Sequence, residues 1–256
     1  MKFLFLLFTT TLTLSIINSM PAKALHVVVD AGHGGIDAGA VRGTLRESDL
    51  VLDVAKRLRE RIQSDPRFKV TMTREENKSL SLKERVQIAN SLKADLFLSL
   101  HANAADDTRA KGLEFFIQNT AQSDEPLSYF SHIENQVVDD NPSYVQTLEP
   151  SKKGDLINIV EDLQKQSRLH SSLKASKIFH NKVTPEHPSA IKQAPFFVIS
   201  RTQMPSVLVE IGFISNPLEA KKLNDTSYRS EIVEKIFVAL QDYKEKVDKS
   251  LPSPLQ

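Results

Sequence analysis

Short apolar runs alternate with amphipathic stretches along most of this sequence, and that alternation restricts the folds available to it. Residues 26–30 are rich in valine and indicate a strand, whereas apolar side chains recur every four residues from Leu50 to Ile62, as on one face of a helix. Strands that alternate with helices give layered α/β architectures. We therefore predict a single α/β domain with a mixed or mostly parallel sheet flanked by helices.

Local signals place further elements. Ser81 and Glu84 form a capping box that predicts a helix beginning at Leu82, and Asn216 followed by Pro217 predicts another helix start. Apolar periodicity from Tyr228 to Leu240 predicts a last helix. Additional strands are predicted over residues 69–73, 95–100, 113–117, 196–199 and 206–211.

The composition narrows the chemistry that the chain can carry. It contains no cysteine, which excludes disulfides, thiolate nucleophiles, and zinc or iron–sulfur sites held by cysteine. Any metal must therefore be bound by histidine, aspartate or glutamate. The 33 basic and 32 acidic side chains give a net charge of +1, so we predict no nucleic-acid partner.

Residues 1–24 have the pattern of a signal peptide: Lys2, an apolar stretch, and the small-x-small sequence from Ala22 to Ala24. The apolar part is shorter than the ~20 residues of a membrane-spanning helix. We expect an exported, periplasmic protein with no stable membrane anchor after signal cleavage. The predicted domain covers residues 25–248, followed by a loose tail at 249–256.

Three side chains have the types and positions expected of metal ligands. His33 lies in a glycine-rich turn after the first strand, His101 follows the strand 95–100, and Glu47 precedes the first long helix. Taken singly, each histidine fits a hydrogen-bonded turn, and Glu47 fits a solvated helix start. Taken together, they match the His₂Glu donor set of a catalytic zinc site that keeps one position open.

Two other features have chemical interpretations. Glu210 lies in the apolar strand 206–211, where a carboxylate is costly unless it is paired or functional. Ser171 and Lys174 match the S-x-x-K pattern of penicillin-binding serine enzymes, but the companion S-D-N and K-T-G motifs are absent. We interpret this second pair as part of an ordinary helix.

Four blocks, in this order, resemble the zinc-dependent N-acetylmuramoyl-L-alanine amidases of bacterial cell-wall turnover: residues 28–39, Glu47, residues 98–104 and residues 205–216. Residues 193–198 also fit that family. The resemblance implies that His33, Glu47 and His101 bind one Zn²⁺ and that Glu210 is the catalytic acidic residue. It also implies peptidoglycan as the substrate, cleaved at the amide between N-acetylmuramic acid and the L-alanine of the stem peptide.

Two alternatives to this amidase remain. One is a peptidase or carboxypeptidase that cuts within the stem peptide, through the zinc or through Ser171 and Lys174. The other is a catalytically silent peptidoglycan-binding module, although such a module has no reason to keep His33, Glu47, His101 and Glu210 together.

Residues 120–154 are polar, without a strong period, and indicate a functional loop, a lid or an insert. In relatives that act at the division site, an insert at this place carries a helix that covers the zinc until an activator protein moves it. Residues 129–135 resemble that helix, which implies that Glu134 takes the open zinc position and is autoinhibitory. The alternative is a solvated surface loop.

Overall fold

The computed structural model describes residues 23–118, 135, 155–184 and 191–250, and these ranges form a sheet with helices on both faces. The strands are β1 (Leu25–Ala31), β2 (Val41–Arg42), β3 (Leu45–Arg46), β4 (Phe68–Met72), β5 (Leu96–Asn103), β6 (Glu114–Gln118), β7 (Ile191–Ala194) and β8 (Ser206–Phe213). The helices are α1 (Glu47–Gln63), α2 (Leu82–Ser91), α3 (Asp155–Val183), α4 (Phe197–Arg201), α5 (Pro217–Asn224) and α6 (Thr226–Ser250).

Six strands pair in the order β4-β1-β5-β8-β6-β7, and β2 and β3 form a separate hairpin. Strand β1 is parallel to β4 and β5, β5 is parallel to β8, and β6 is parallel to β7. The β6–β8 pair is antiparallel. The predicted α/β domain with a mostly parallel sheet is therefore confirmed.

Alternation along each strand sends apolar side chains to both faces of the sheet. In β5, Leu96, Leu98 and Leu100 pack into a core cluster shared with α1, α3 and α6. Phe97 points the other way and packs with residues of α2 and α4. Burial on both faces explains why β1 and β5 read as nearly continuous apolar runs.

The predicted helix starts are present with their caps. The Ser81 hydroxyl accepts a hydrogen bond from the Glu84 amide, and the Glu84 carboxylate accepts one from the Ser81 amide. The Asn216 side chain accepts from the amides of Leu218 and Glu219, with Pro217 in the first turn of α5. Local sequence therefore determines where α2 and α5 begin.

The prediction of a strand at residues 196–199 is wrong. The strand here is β7, and the chain then turns through Pro195 into the short helix α4. Proline has no N–H to continue a ladder, and periodicity alone does not distinguish a short buried strand from a buried helical turn. Val198 and Ile199 fill the core cluster beside Phe97 as helix residues.

Three further differences concern helices and ends. Helix α3 was predicted only as the helix that contains Ser171 and Lys174, without bounds, and α6 extends through Lys249 and Ser250, into the predicted tail. Residues 1–22 and 251–256 lie outside the described residues, so the signal peptide and the rest of the tail stay predictions. Among the helices of the described ranges, none is long and apolar enough to cross a membrane.

Candidate active site

The fold brings together side chains that are far apart in sequence at one edge of the sheet. Strands β1 and β5 are parallel neighbours, so the turn after β1 that carries His33 and the end of β5 that carries His101 lie side by side. Glu47 is the first residue of α1, which packs against both strands. This placement follows the general rule that ligand sites in α/β sheets form at the carboxyl ends of the strands.

The three side chains converge on one point. The Glu47 Oε1 atom lies 3.1 Å from His33 Nε2 and 3.2 Å from His101 Nδ1. The two imidazole rings are 4.9 Å apart and nearly perpendicular. One potential ligand atom from each residue lies within 4.8 Å of the others, and all three side chains are buried. The structure thus assembles the donor group that the sequence suggested.

Backbone amides hold the Glu47 carboxylate in place. Its Oε2 accepts a hydrogen bond from the Ala40 amide at 2.9 Å, and its Oε1 accepts one from the Ala102 amide at 2.9 Å. Burial alone would raise the pKa of Glu47, but the charge on His33 and hydrogen bonds with both histidines hold that pKa well below its usual range. The environment of Glu47 therefore favours its ionised form, the form in which a carboxylate binds a metal ion.

Asp37 orients His33 and was not assigned a role from the sequence. Its Oδ2 lies 2.8 Å from His33 Nδ1, and its Oδ1 accepts a hydrogen bond from the Gly39 amide at 3.0 Å. A carboxylate on one ring nitrogen fixes the tautomer and directs the other nitrogen to the metal. The four-residue separation of His33 and Asp37 was the available signal for this contact. The sequence alone does not show that the turn between them brings the Asp37 carboxylate to His33 Nδ1.

Glycines beside the site leave room for the ligand side chains. A Cβ atom added at Gly32 would lie 2.5 Å from the His101 ring, and one at Gly39 would lie 2.5 Å from Glu47 Oε2. His33 itself has a φ of 55°, in the left-handed region that ordinary residues rarely adopt. These features require glycine at positions 32 and 39 and place strain on His33, which lies between them.

Arg85 holds the strained turn from one side. Its Nη1 donates to Ala31 O at 2.6 Å and to Asp30 Oδ1 at 2.8 Å, and its Nη2 donates to His33 O at 2.6 Å. Both the guanidinium and the Asp30 carboxylate are buried. The carbonyl groups of the turn that carries His33 are therefore fixed by a fully desolvated donor.

Arg74 holds the same turn and links it to α1. Its Nε donates to Ala31 O at 2.8 Å, and its Nη2 donates to Gly32 O at 2.7 Å and to Ser48 O at 2.8 Å. Burial and the neighbouring Arg85 charge lower the pKa of Arg74 to about 10, so it remains a cation at neutral pH. One guanidinium thus joins the segment of His33 to the segment of Glu47.

Glu210 lies next to the donor group. It is the register partner of His101 across the parallel β5–β8 pair, and only 4% of it is exposed. On its other side, across the antiparallel pair, its register partner is Glu114 of β6. Glu210, which the sequence marked as a carboxylate in an apolar strand, therefore lies directly across from His101, a metal-ligand candidate, on the neighbouring strand.

Ser171 and Lys174 lie elsewhere. Both line a groove between α3 and α6, together with Tyr243 and Lys246. These helices cover the opposite face of the sheet from the one that carries Glu210. Ser171 and Lys174 therefore lie on the surface of a helix, which agrees with their interpretation as part of an ordinary helix rather than as a catalytic pair.

The autoinhibitory prediction for Glu134 concerns a residue outside the described ranges and stays a prediction. Its neighbour Asn135 is described: the side chain donates to Pro195 O at 3.1 Å and accepts from the Phe197 amide at 2.9 Å. These contacts place Asn135 at the turn where β7 passes into α4, and Val198 of α4 lies beside His33 and His101.

The donor group fits a zinc ion. Two imidazoles and one carboxylate are ligands that Zn²⁺ accepts, and three protein ligands are the number found in catalytic zinc sites. The close-packed glycine turns and the hydrogen bond that His33 Nδ1 donates to Asp37 provide the orientation that such ligands need.

Comparison with known proteins then identifies the family, because the family model described as N-acetylmuramoyl-L-alanine amidase matches residues 27–242. The chain belongs to the N-acetylmuramoyl-L-alanine amidase family. The resemblance stated from the sequence motifs is confirmed, and the fold described above is that of an amidase catalytic domain.

Individual relatives agree with this assignment. The amidase AmiC of Escherichia coli is 34% identical over 86% of this chain and 53% of its own length. A putative amidase of Buchnera aphidicola is 30% identical over 85% of this chain and 95% of the relative. The catalytic domain of the amidase CwlV from Bacillus (Paenibacillus) polymyxa has a TM-score of 0.64 and 25% identity, covering 86% of this chain and 98% of that domain. The chain spans about half the length of the first curated relatives, 53% of AmiC and 56% of the probable AmiB of Haemophilus influenzae.

Proposed function

We propose that this chain hydrolyses the amide between N-acetylmuramic acid and the L-alanine of the peptidoglycan stem peptide. The observation that carries the proposal is the buried convergence of His33, Glu47 and His101. Membership of the amidase family supplies the substrate class. In this proposal the three side chains bind one Zn²⁺ and Glu210 is the catalytic base.

The residues of the chain then have separate tasks. Bound zinc supplies a Lewis acid that polarises a carbonyl and favours ionisation of water near neutral pH. The Glu210 carboxylate takes the proton from the attacking water and delivers it to the departing nitrogen of L-alanine. Asp37 keeps His33 oriented, and the amides of Ala40 and Ala102 keep Glu47 oriented. The unactivated amide needs this proton delivery because its amine is a poor leaving group.

The position of Glu210 supports its role as base. It lies in register with His101, so the two side chains share one face of the sheet, as a base acting on a water held beside the ligands requires. The same face of the sheet carries Asp30, whose carboxylate accepts hydrogen bonds from Arg85 of α2 and from Ser99 of β5.

Product analysis tests the proposal against the peptidase and the silent-module alternatives. Purified peptidoglycan is incubated with the zinc-loaded chain and the products are identified by mass spectrometry. An amidase releases stem peptides with a free N-terminal L-alanine and leaves peptide-free glycan. Shortened stems that remain on the sugar would indicate a peptidase, and an unchanged polymer would leave only a binding module.

We also propose that the protein is exported to the periplasm, where this substrate lies. The proposal rests on the signal-peptide pattern at residues 1–24. N-terminal sequencing of protein recovered from the periplasmic fraction tests this proposal. Recovery of the protein only from the cytoplasmic fraction, with an uncleaved N-terminus that still contains Lys2, would contradict it.

A further inference from the structure

A row of polar side chains runs from the metal-ligand candidates toward the edge of the sheet. His101 of β5, Glu210 of β8 and Glu114 of β6 are successive register partners. Partners across a strand pair carry their side chains on the same face. Lys192 of β7 is the register partner of Phe116, two residues further along β6 on the same face, and its side chain extends the row because its Nζ atom lies 2.6 Å from Glu114 Oε1.

Strand alternation places this row on the face covered by α2 and α4. Leu208, Phe116 and Ala194 lie two residues from Glu210, Glu114 and Lys192 respectively, and all three belong to the core cluster of that face. The Lys192 ammonium also lies 5.7 Å from the centre of the Phe116 ring. The ion pair is therefore part of the same surface as Glu210.

Exposure increases along the row. Glu210 is 4% exposed, whereas the side chains of Glu114 and Lys192 are 16% and 33% exposed. A lysine ammonium has three N–H donors, and one contact with Glu114 does not use them all. The outer end of the row thus presents a cation whose position is fixed by a neighbouring carboxylate.

The spacing of the row matches a short length of peptide. Neighbouring strands are ~4.8 Å apart, so the step from β8 across β6 to β7 covers roughly 10 Å, and Lys192 reaches back toward Glu114. An extended peptide advances ~3.5 Å per residue. A group one to three residues beyond the bond cleaved at Glu210 would therefore lie beside Lys192.

We propose that Lys192, oriented by Glu114, binds a free carboxylate of the stem peptide on the peptide side of the cleaved amide. The inference rests on the proposed function, because it takes Glu210 as the point of cleavage. The glycan next to that amide is uncharged, whereas stem peptides carry acidic residues, so a fixed cation at this distance selects for the peptide. This subsite makes Lys192 a specificity-determining residue and Glu114 its positioning residue.

The test compares two product-like ligands that the enzyme cannot cleave. One is the stem tripeptide L-Ala–γ-D-Glu–L-Lys, and the other is the same tripeptide with the free carboxylate of D-Glu converted to an amide. Isothermal titration calorimetry gives the Kd of each for the zinc-loaded wild-type protein. We expect the acid to bind about fivefold more tightly than the amide, the upper range for a part-exposed ion pair.

Variants distinguish carboxylate binding by Lys192 from a merely structural role of its ion pair in the sheet. Lys192→Gln should remove the preference for the acid, and Lys192→Arg should retain it because the charge remains. Glu114→Gln should reduce the preference, since Lys192 loses its orienting partner. Lys182→Gln is the matched control, because Lys182 forms an ion pair with Asp242 at 3.0 Å between α3 and α6, and it should leave the preference unchanged.

These binding measurements decide whether the Lys192 subsite exists, and they do not depend on whether the protein is catalytically active. No binding of either tripeptide, no preference in the wild type, or a preference that persists in Lys192→Gln would overturn it. If Lys192→Gln fails to fold, the salt dependence of the wild-type preference decides instead, because an ion pair weakens as salt rises. Failure of the proposed function shows separately, as the absence of stem-peptide release from intact peptidoglycan.

Discussion

His33 Nδ1 and Asp37 Oδ2 lie 2.8 Å apart, and this contact turns the opposite ring nitrogen of His33 toward Glu47. Asp37→Asn should keep the fold but weaken zinc affinity by about tenfold or more, the usual effect of removing a carboxylate behind a ligating histidine. Competition with a chromophoric chelator measures the affinity. Asp107→Asn, at an exposed aspartate paired with Arg109, is the control. Equal affinities for the two variants would exclude this role for Asp37.

Removal of a ligand should remove the metal itself. His33→Ala or His101→Ala should abolish both bound zinc and peptidoglycan hydrolysis, because two ligands do not retain a catalytic ion. Metal content by mass spectrometry and activity on purified peptidoglycan provide the two readouts. A chelator should inactivate the wild type reversibly, and full activity in a preparation free of zinc and other metals would refute the proposed centre.

Glu210→Gln should separate binding from chemistry. The amide keeps the size of the side chain but cannot accept the proton, so zinc content should stay at the wild-type level while turnover falls by ~100-fold or more. Both quantities are measured on the same purified sample. A variant that loses its zinc would show instead that Glu210 is a ligand.

Arg85→Lys should loosen the turn that carries His33. A lysine keeps the charge, but a single ammonium cannot match the planar fork that spans Ala31 O and His33 O. We expect zinc affinity to fall by about tenfold, and the visible spectrum of the cobalt-substituted protein to change because ligand geometry changes. Arg229→Lys is the control, since that guanidinium contacts Leu223 O of α5 and Asp53 of α1. Identical cobalt spectra for Arg85→Lys and wild type would contradict the expectation.

Asp30 should make stability depend on acid pH. Burial alone would raise its pKa, but the Arg85 charge and hydrogen bonds from Thr73, Arg85 and Ser99 together lower the pKa of Asp30. A lowered folded-state pKa contributes stability above the unfolded value of ~3.9, and this contribution is lost as the pH falls through the folded value. Asp30→Asn should cost about 3 kcal/mol at pH 7, because it leaves a buried guanidinium uncompensated.

The measurement for Asp30 is denaturant unfolding with chelator present, at pH 7 and at pH values below about 4. The difference in the free energy of unfolding between wild type and Asp30→Asn should be largest at pH 7 and shrink in acid. A difference that stays constant with pH would show that Asp30 acts through shape rather than charge.

Local signals in the sequence predicted much of this fold. The capping residues Ser81 and Asn216 and the apolar period of α1 are short-range features. Helices α2 and α5 begin where expected, whereas α1 begins at Glu47, which was expected to precede it. The run 196–199 failed because apolar content does not distinguish a buried helical turn from a strand, and the break at Pro195 decided the outcome. The extent of helix α3 was not predicted because its first turns expose apolar side chains, among them Ile159 and Leu163, and follow a polar segment.

The candidate site was predictable only in part, because contacts between segments far apart in the chain leave no local signal in the sequence. His33, Glu47, His101 and Glu210 are marked by residue type and by their places at strand ends and helix starts. Arg74 and Arg85 carry no such mark, since each contacts the His33 turn through backbone carbonyls more than 40 positions away. The Glu114–Lys192 pair likewise depends on the parallel pairing of β6 with β7, two strands far apart in the sequence, which no local pattern specifies.

The bridge that Arg74 makes between Gly32 O and Ser48 O has a consequence for metal binding. Because the two ligand-bearing segments are joined by one buried guanidinium, they cannot separate without breaking desolvated hydrogen bonds, which is costly. The donors are therefore preorganised, and most of the conformational entropy of assembling them is lost during folding rather than when the ion arrives. The apo and zinc-loaded proteins should accordingly share one backbone arrangement around the ligands.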